Sequence, residues 1–188
     1  MGDLHKTFSV CDYDLEATLA SGQAFRWQRL GQGWEGVIGG RWVRLRLTKG
    51  GIAAEVAKPV RDWAWLEHYL QLHFDLGQAL AMFPDDEPMQ NAVAAFPGLR
   101  LLRQDYWECL ASFILSATKQ IVQIRQMIML LSKRYGEPIA SGGDDPAFAF
   151  PTIEVIAACG EAELRECKLG FRAPNLLGAA RDILDEKI

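Results

Sequence analysis

The 188 residues carry 20 Lys and Arg against 24 Asp and Glu, a net charge of −4, with 49% hydrophobic and 23% charged residues. That composition suits a folded chain with a substantial core and excludes a disordered one. It also excludes nucleic-acid binding through bulk charge, so any such binding needs a local basic face. The four cysteines, Cys11, Cys109, Cys159 and Cys167, form no CxxC pair and no Cys/His cluster; they read as free thiols of a reducing compartment rather than as metal ligands. No charged start followed by an apolar run opens the sequence, and no stretch is apolar enough to span a bilayer, so a cytoplasmic protein without a membrane partner is expected.

Residues 24–57 alternate with period two. In Arg41-Trp42-Val43-Arg44-Leu45-Arg46-Leu47-Thr48, Val43, Leu45 and Leu47 fall on one face and Arg44 and Arg46 on the other. Glycine pairs punctuate the run, which predicts an antiparallel meander. From Val60 the spacing becomes helical through Trp63, Leu66, Leu70 and Phe74, and a second apolar helix is expected over Met89 to Phe96. After Pro97-Gly98, Trp107, Leu110, Ala111, Ile114 and Leu115 predict an amphipathic helix over Asp105 to Ser116. Ile121, Ile124, Ile128 and Leu131 mark the next one, stopped by Gly136 and Pro138. Further helices are expected from Thr152 to about Cys167 and from Pro174 onward, the last running to Ile188 without a stop signal. The fold class is therefore α+β, with residues 1–97 as a sheet-bearing domain and 98–188 as a helical one.

Three features could carry chemistry. The basic run Arg41, Arg44, Arg46 and Lys49 is either a solvated sheet face or a phosphate-binding surface. The junction Ser116-Ala117-Thr118-Lys119-Gln120 is followed by a helix whose backbone amides could hold a phosphate, although Thr118 or Ser116 could equally cap that helix. Phe171 and Arg172, ahead of Ala173-Pro174, could act as wedge and base reader on a distorted duplex, or as core and cap. His5, His68 and His73 are scattered, Cys109 falls on what reads as a buried helix position, and no nucleophile elbow or P-loop occurs.

Three blocks resemble, in order and spacing, the 8-oxoguanine DNA glycosylases of the helix-hairpin-helix superfamily. They are SGQAFRW (21–27), GLRLLRQDYWECLASFILSATKQIVQI (98–124) and LRECKLGFRAPNLLGAARDIL (164–184). The resemblance implies a TBP-like N-terminal half followed by the first helices of the glycosylase domain. It implies a bifunctional glycosylase/AP lyase of base-excision repair acting on duplex DNA that contains oxidised guanine, with no metal or organic cofactor.

By the same resemblance, Gly22 lines the lesion-base pocket with Gln23 and Phe25 beside it, and its carbonyl reads the extra ring N–H of 8-oxoguanine. Arg26 supports the same strand. Phe171 is the wedge and Arg172 reads the orphaned cytosine. Thr118, Lys119 and Gln120 replace three asparagines and Gln123 replaces a second arginine, which implies weaker discrimination of the opposing base. The family's hairpin, nucleophilic lysine and aspartate have no match here and are expected beyond Ile188, so no catalytic residue is assigned and the 188-residue chain is expected to be inactive and monomeric. The alternative reading is a noncatalytic paralogue that binds damaged or bent DNA.

Overall fold

A computed structural model describes residues 2–186. Its first half is a five-stranded antiparallel sheet with short helices. The strands are β1 (Asp3–Phe8), β2 (Gln28–Leu30), β3 (Gly33–Ile38), β4 (Arg41–Thr48) and β5 (Gly51–Val60), in the spatial order β1-β5-β4-β3-β2. Helix α1 (Leu15–Ala20) begins where the Asp14 carboxylate accepts from the Ala17 amide at 2.8 Å, satisfying one of the donors a helix start leaves open. Helices α2 (Ala64–Leu70), α3 (Leu76–Leu80) and α4 (Glu87–Ala95) follow the sheet.

The second half is helical: α5 (Tyr106–Ser116), α6 (Ile121–Tyr135), a short hairpin of β6 (Pro138–Ile139) and β7 (Ala147–Phe148), α7 (Ile153–Ala158), α8 (Glu161–Glu166), a 3₁₀ turn (Gly170–Arg172) and α9 (Ala173–Leu184). α9 ends at Leu184 with Asp185 at its C-cap, short of the expected run to Ile188, whose last two residues lie outside the described ones.

Two cores result. One gathers Leu15, Leu19, Trp27, Val43, Leu45, Ile52, Leu66 and Leu70, and it takes in Leu102 from the segment after α4. The other gathers Trp107, Leu115, Ile128, Leu131, Ile156, Leu164 and Leu176. In the first, Trp27 is 1% exposed, and its Nε1 donates to the Tyr69 hydroxyl at 2.9 Å. That bond lets a large ring bury its polar edge.

Several expectations are corrected by local chemistry. β1 and α1, which lie ahead of the alternating run, are additional elements; β1 pairs with β5. The helical run from Val60 toward Phe74 breaks after α2, because Gln71 turns left-handed at φ 55. The run from Thr152 to Cys167 splits into α7 and α8 at Cys159-Gly160, both extended. α4 buries no side chain. In β4, Val43 and Leu45 are buried as the alternation predicts, but Leu47 is 57% exposed near the end of the strand. Trp42 leaves the alternation too: it is buried beneath the β6–β7 loop, where a Cβ on Gly142 would lie 2.2 Å from its ring. Only glycine permits that approach.

Candidate functional site

The segment Ser21–Trp27 joins α1 to β2 and serves as a strap between the two cores. Gly22 sits at φ +83, and a Cβ there would face the Ile121 side chain at 3.6 Å. The residue is thus held in the region that glycine occupies without strain, over the first turn of α6. Ile121 belongs to the helical half, so Gly22 places bare backbone at the seam.

Gln23 is wholly engaged. Its Nε2 donates to the Thr18 carbonyl at 3.0 Å and to the Arg100 carbonyl at 2.9 Å, and its Oε1 accepts from the Leu102 amide at 2.8 Å. The Gln104 side chain donates back to the Gln23 carbonyl at 2.6 Å. Two donors and an acceptor in one planar group suit two carbonyls and an amide. Gln23 thereby braces the segment 100–104, which leads straight into α5. Its amide does not reach outward to a ligand.

Phe25 packs against the helical core. Arg26 donates to the Phe148 carbonyl and lies 3.8 Å from the Glu108 carboxylate. Burial pulls the Arg26 pKa down and Glu108 opposes that. The Glu108 carboxyl is pushed up to about 7, chiefly by burial, with Arg26 lowering it and Asp105 raising it. Four residues of the strap, Gly22, Gln23, Phe25 and Arg26, therefore touch four different parts of the protein.

The junction at 117–120 is exposed on every residue. Thr118 adopts φ 54, and the α6 cap is Gln120 rather than Thr118 or Ser116. Ser116 donates instead to the Phe113 carbonyl at 2.7 Å. Gln123 accepts from the Gln120 amide at 3.3 Å, folding over its own helix start. Lys119 projects from this turn, next to Gln120.

Phe171 and Arg172 separate sharply. Phe171 is 58% exposed, whereas Arg172 is 2% exposed and lies beneath it, 4.1 Å from the ring centroid. The Arg172 guanidinium donates through Nε to the Ala117 carbonyl at 2.9 Å, through Nη2 to that carbonyl and to Thr118 Oγ1 (2.9 Å), and through Nη1 to Leu169 at 3.5 Å. Resemblance sends this arginine outward to a base; the structure sends it inward. A guanidinium buried at this depth needs acceptors for its fork of donors, and the exposed turn supplies them. Through Arg172, Phe171 is coupled to the junction 55 residues before that arginine.

The basic run on β4 follows the solvated-face reading at its centre. Arg44 pairs with Glu35 at 2.6 Å and Glu55 at 3.1 Å. Arg134 likewise pairs with Glu166. Cys109 is exposed, not buried, because it shares the outward face of α5 with Tyr106 and Phe113, which are 72% and 75% exposed. Sequence reasoning passed over Phe113, whose off-stripe position on α5 was the available signal.

A five-stranded sheet strapped at its seam to a helical bundle is an arrangement shared with solved 8-oxoguanine glycosylase structures. The structure superposes over all of its length on MBOgg1 in complex with a low affinity DNA ligand, with a TM-score of 0.92, 28% identity and 65% of that chain covered. The sequence profile of the 8-oxoguanine DNA glycosylase N-terminal domain matches residues 7–110, more than half of the chain. The chain belongs to the 8-oxoguanine DNA glycosylase family. It is similar to N-glycosylase/DNA lyase OGG1 of Arabidopsis thaliana (28% identity over 171 residues, 87% of this chain and 47% of that protein). It is also similar to the N-glycosylase/DNA lyase of Saccharomyces cerevisiae (32% over 127 residues, 65% and 34%). The chain thus spans less than half the length of these two relatives. Among the described residues, no helix is long and apolar enough to cross a membrane.

Proposed function

We propose that this chain is the N-terminal portion of an 8-oxoguanine DNA glycosylase/DNA lyase that acts, as a monomer, on duplex DNA containing oxidised guanine in base-excision repair. One observation carries the reading. Gly22, left-handed and without a side chain, faces Ile121 immediately after an exposed turn that Arg172 ties to the exposed Phe171.

An extruded base needs a pocket that its edge can approach closely, and a duplex that has lost a base needs a filler and a reader. In this reading the Gly22 carbonyl accepts the ring N–H that 8-oxoguanine has and guanine lacks. A normal guanine would set an acceptor against an acceptor, which is how a hydrogen-bonding site discriminates. Phe25 shapes the strap, Phe171 wedges the stack, and Arg172 holds the turn from which Thr118, Lys119 and Gln120 meet the strand. Gln123, tied to its own helix start, reads the opposing base weakly. No lysine or aspartate of the 188 residues matches the family's nucleophile and its partner, so the chain alone binds the lesion without releasing it.

Fluorescence anisotropy with duplexes bearing 8-oxoguanine or guanine opposite cytosine tests the proposal, alongside a base-release assay. The wild-type chain prefers the lesion duplex and releases no base. Gly22→Ala loses most of that preference while its stability falls by only about 1–2 kcal/mol, the strain of a left-handed alanine. Equal binding of both duplexes refutes the lesion-reading role, and efficient base release refutes the assignment of chemistry elsewhere.

A further inference from the structure

Away from Gly22 and Ile121, α6 turns another face toward the sheet. Between it, β3, β4 and the β6–β7 hairpin lies a cleft of about 820 Å³, within the range of small-molecule sites. Phe25 and Phe148, both half-buried, contribute rings to its wall. Arg125, Ser132 and Lys133 enter from α6 at positions i, i+7 and i+8, hence from one face.

The polar groups are unsatisfied in a specific way. The Ser132 hydroxyl, on a residue 4% exposed, and the Arg125 Nε are buried with no hydrogen-bond partner among the described residues. Buried donors of this kind are rare in folded proteins and call for an acceptor. The other charges of the lining are mostly engaged: Arg26 with Glu108 and the Phe148 carbonyl, and Glu35 with Arg44. Asp145 is the remaining carboxylate of the lining, and it is exposed. Gln28 and Gln126 add amide groups able to meet either edge of a heterocycle.

We propose that this cleft binds a planar aromatic anion of nucleoside-monophosphate size, its ring against Phe25 and Phe148 and its phosphate on Arg125, Lys133 and the Ser132 hydroxyl. The cleft shares Phe25 and Arg26 with the strap, but neither Gly22 nor Ile121 lines it, and the inference does not rest on lesion recognition. The ligand is either a free nucleotide or a nucleotide within a strand.

Titration calorimetry of the 188-residue protein with adenosine 5′-monophosphate, adenosine, inorganic phosphate and a short single-stranded oligonucleotide tests it. The mononucleotide or the oligonucleotide binds saturably, more tightly than adenosine or phosphate alone. The double variant Arg125→Ala/Lys133→Ala weakens that binding at least about tenfold, the loss of one charge-assisted contact, and Lys58→Ala, an exposed control, leaves it unchanged. Tighter oligonucleotide binding marks a strand as the source, and equal binding marks a free nucleotide. Should the double variant not fold, amide shifts on titrating the wild-type protein serve instead, and they move at Ser132 and Phe148. No saturable binding of either probe, adenosine binding as tight as the monophosphate, binding untouched by the double variant, or amide shifts confined elsewhere would each overturn the proposal.

Discussion

Replacing Gln23 by alanine removes one planar group that closes three hydrogen bonds to two chain segments: the Thr18 carbonyl at 3.0 Å, the Arg100 carbonyl at 2.9 Å and the Leu102 amide at 2.8 Å. Each bond contributes about 1 kcal/mol net, and a buried partner left unpaired is worth more. Leu102 is 8% exposed, so its amide is left without an acceptor in a site that water reaches poorly. The expected loss is about 3 kcal/mol, which for a chain of this length lowers Tm by about 6–12 °C. Gln23→Glu is the sharper variant, because it keeps an acceptor for Leu102 but turns a carboxylate toward two carbonyls; it should destabilise at least as much. Gln104→Ala, which removes only the bond returned to the Gln23 carbonyl, should lose about 1 kcal/mol. Urea denaturation monitored by tryptophan fluorescence measures all three. A Gln23→Ala loss below about 1 kcal/mol, or a Gln23→Glu variant as stable as wild type, refutes the brace.

Phe171→Ala removes a ring lying over the buried Arg172 guanidinium and should cost about 1 kcal/mol, yet weaken binding of a lesion duplex by about tenfold or more; unchanged affinity would remove the wedge. Arg172→Ala should do the reverse first, losing about 2–3 kcal/mol as its carbonyl partners are left open, with Arg172→Lys recovering only part because an ammonium cannot reproduce the fork. A fully stable Arg172→Ala would refute its role in holding the turn. The Glu108 carboxyl, raised from 4.5 to about 7 by burial, binds its proton more tightly in the folded chain than in the unfolded one. Its contribution is therefore full below about pH 4.5 and falls as pH rises toward 7, by about 3 kcal/mol at most, before levelling. Urea midpoints of wild type and Glu108→Gln across this window test the sign: the variant's profile is flatter, and identical slopes count against the shift.

Much of this fold could be read from periodicity. Val43 and Leu45 alternate with arginines and are buried in the sheet, and the helical stripe of α5 from Trp107 to Leu115 faces its core. Reading failed where a contact distant in sequence set the local outcome. Trp42 belongs by alternation to the outer face of β4 and is buried because Gly142, a hundred residues later, lies on it. Gln71 ends α2 by a left-handed turn that no glycine announces. The strap was legible as a motif but not as a mechanism. SGQAFRW contains no visible reason for glutamine, since its partners at 18, 100 and 102 become neighbours only in the folded chain. The bonds of Arg172 are hidden for the same reason: one residue's neighbourhood in sequence does not reveal an acceptor at Ala117.

These braces form one continuous chain of contacts. Gln23 fixes segment 100–104 to the sheet half; that segment leads into α5, where Glu108 meets Arg26 of the strap; α5 ends at the turn that Arg172 holds; and the turn starts α6, whose Ile121 lies against Gly22. The path closes on the strap where it began. A closed path of this kind fixes the spacing between the bare backbone at Gly22, the turn at Thr118–Gln120 and the ring of Phe171, with most of its links supplied by Gln23, Arg26, Glu108 and Arg172. Recognition of an extruded base needs such spacing, because an error near 1 Å is enough to lose a discriminating hydrogen bond. The residues that meet DNA in this reading are thus free to differ from the family's asparagines and second arginine. The braces are not, and substitutions at Gln23 or Arg172 should impair lesion binding in proportion to the stability they remove, whereas substitutions at the exposed Lys119 should alter opposing-base preference at constant stability.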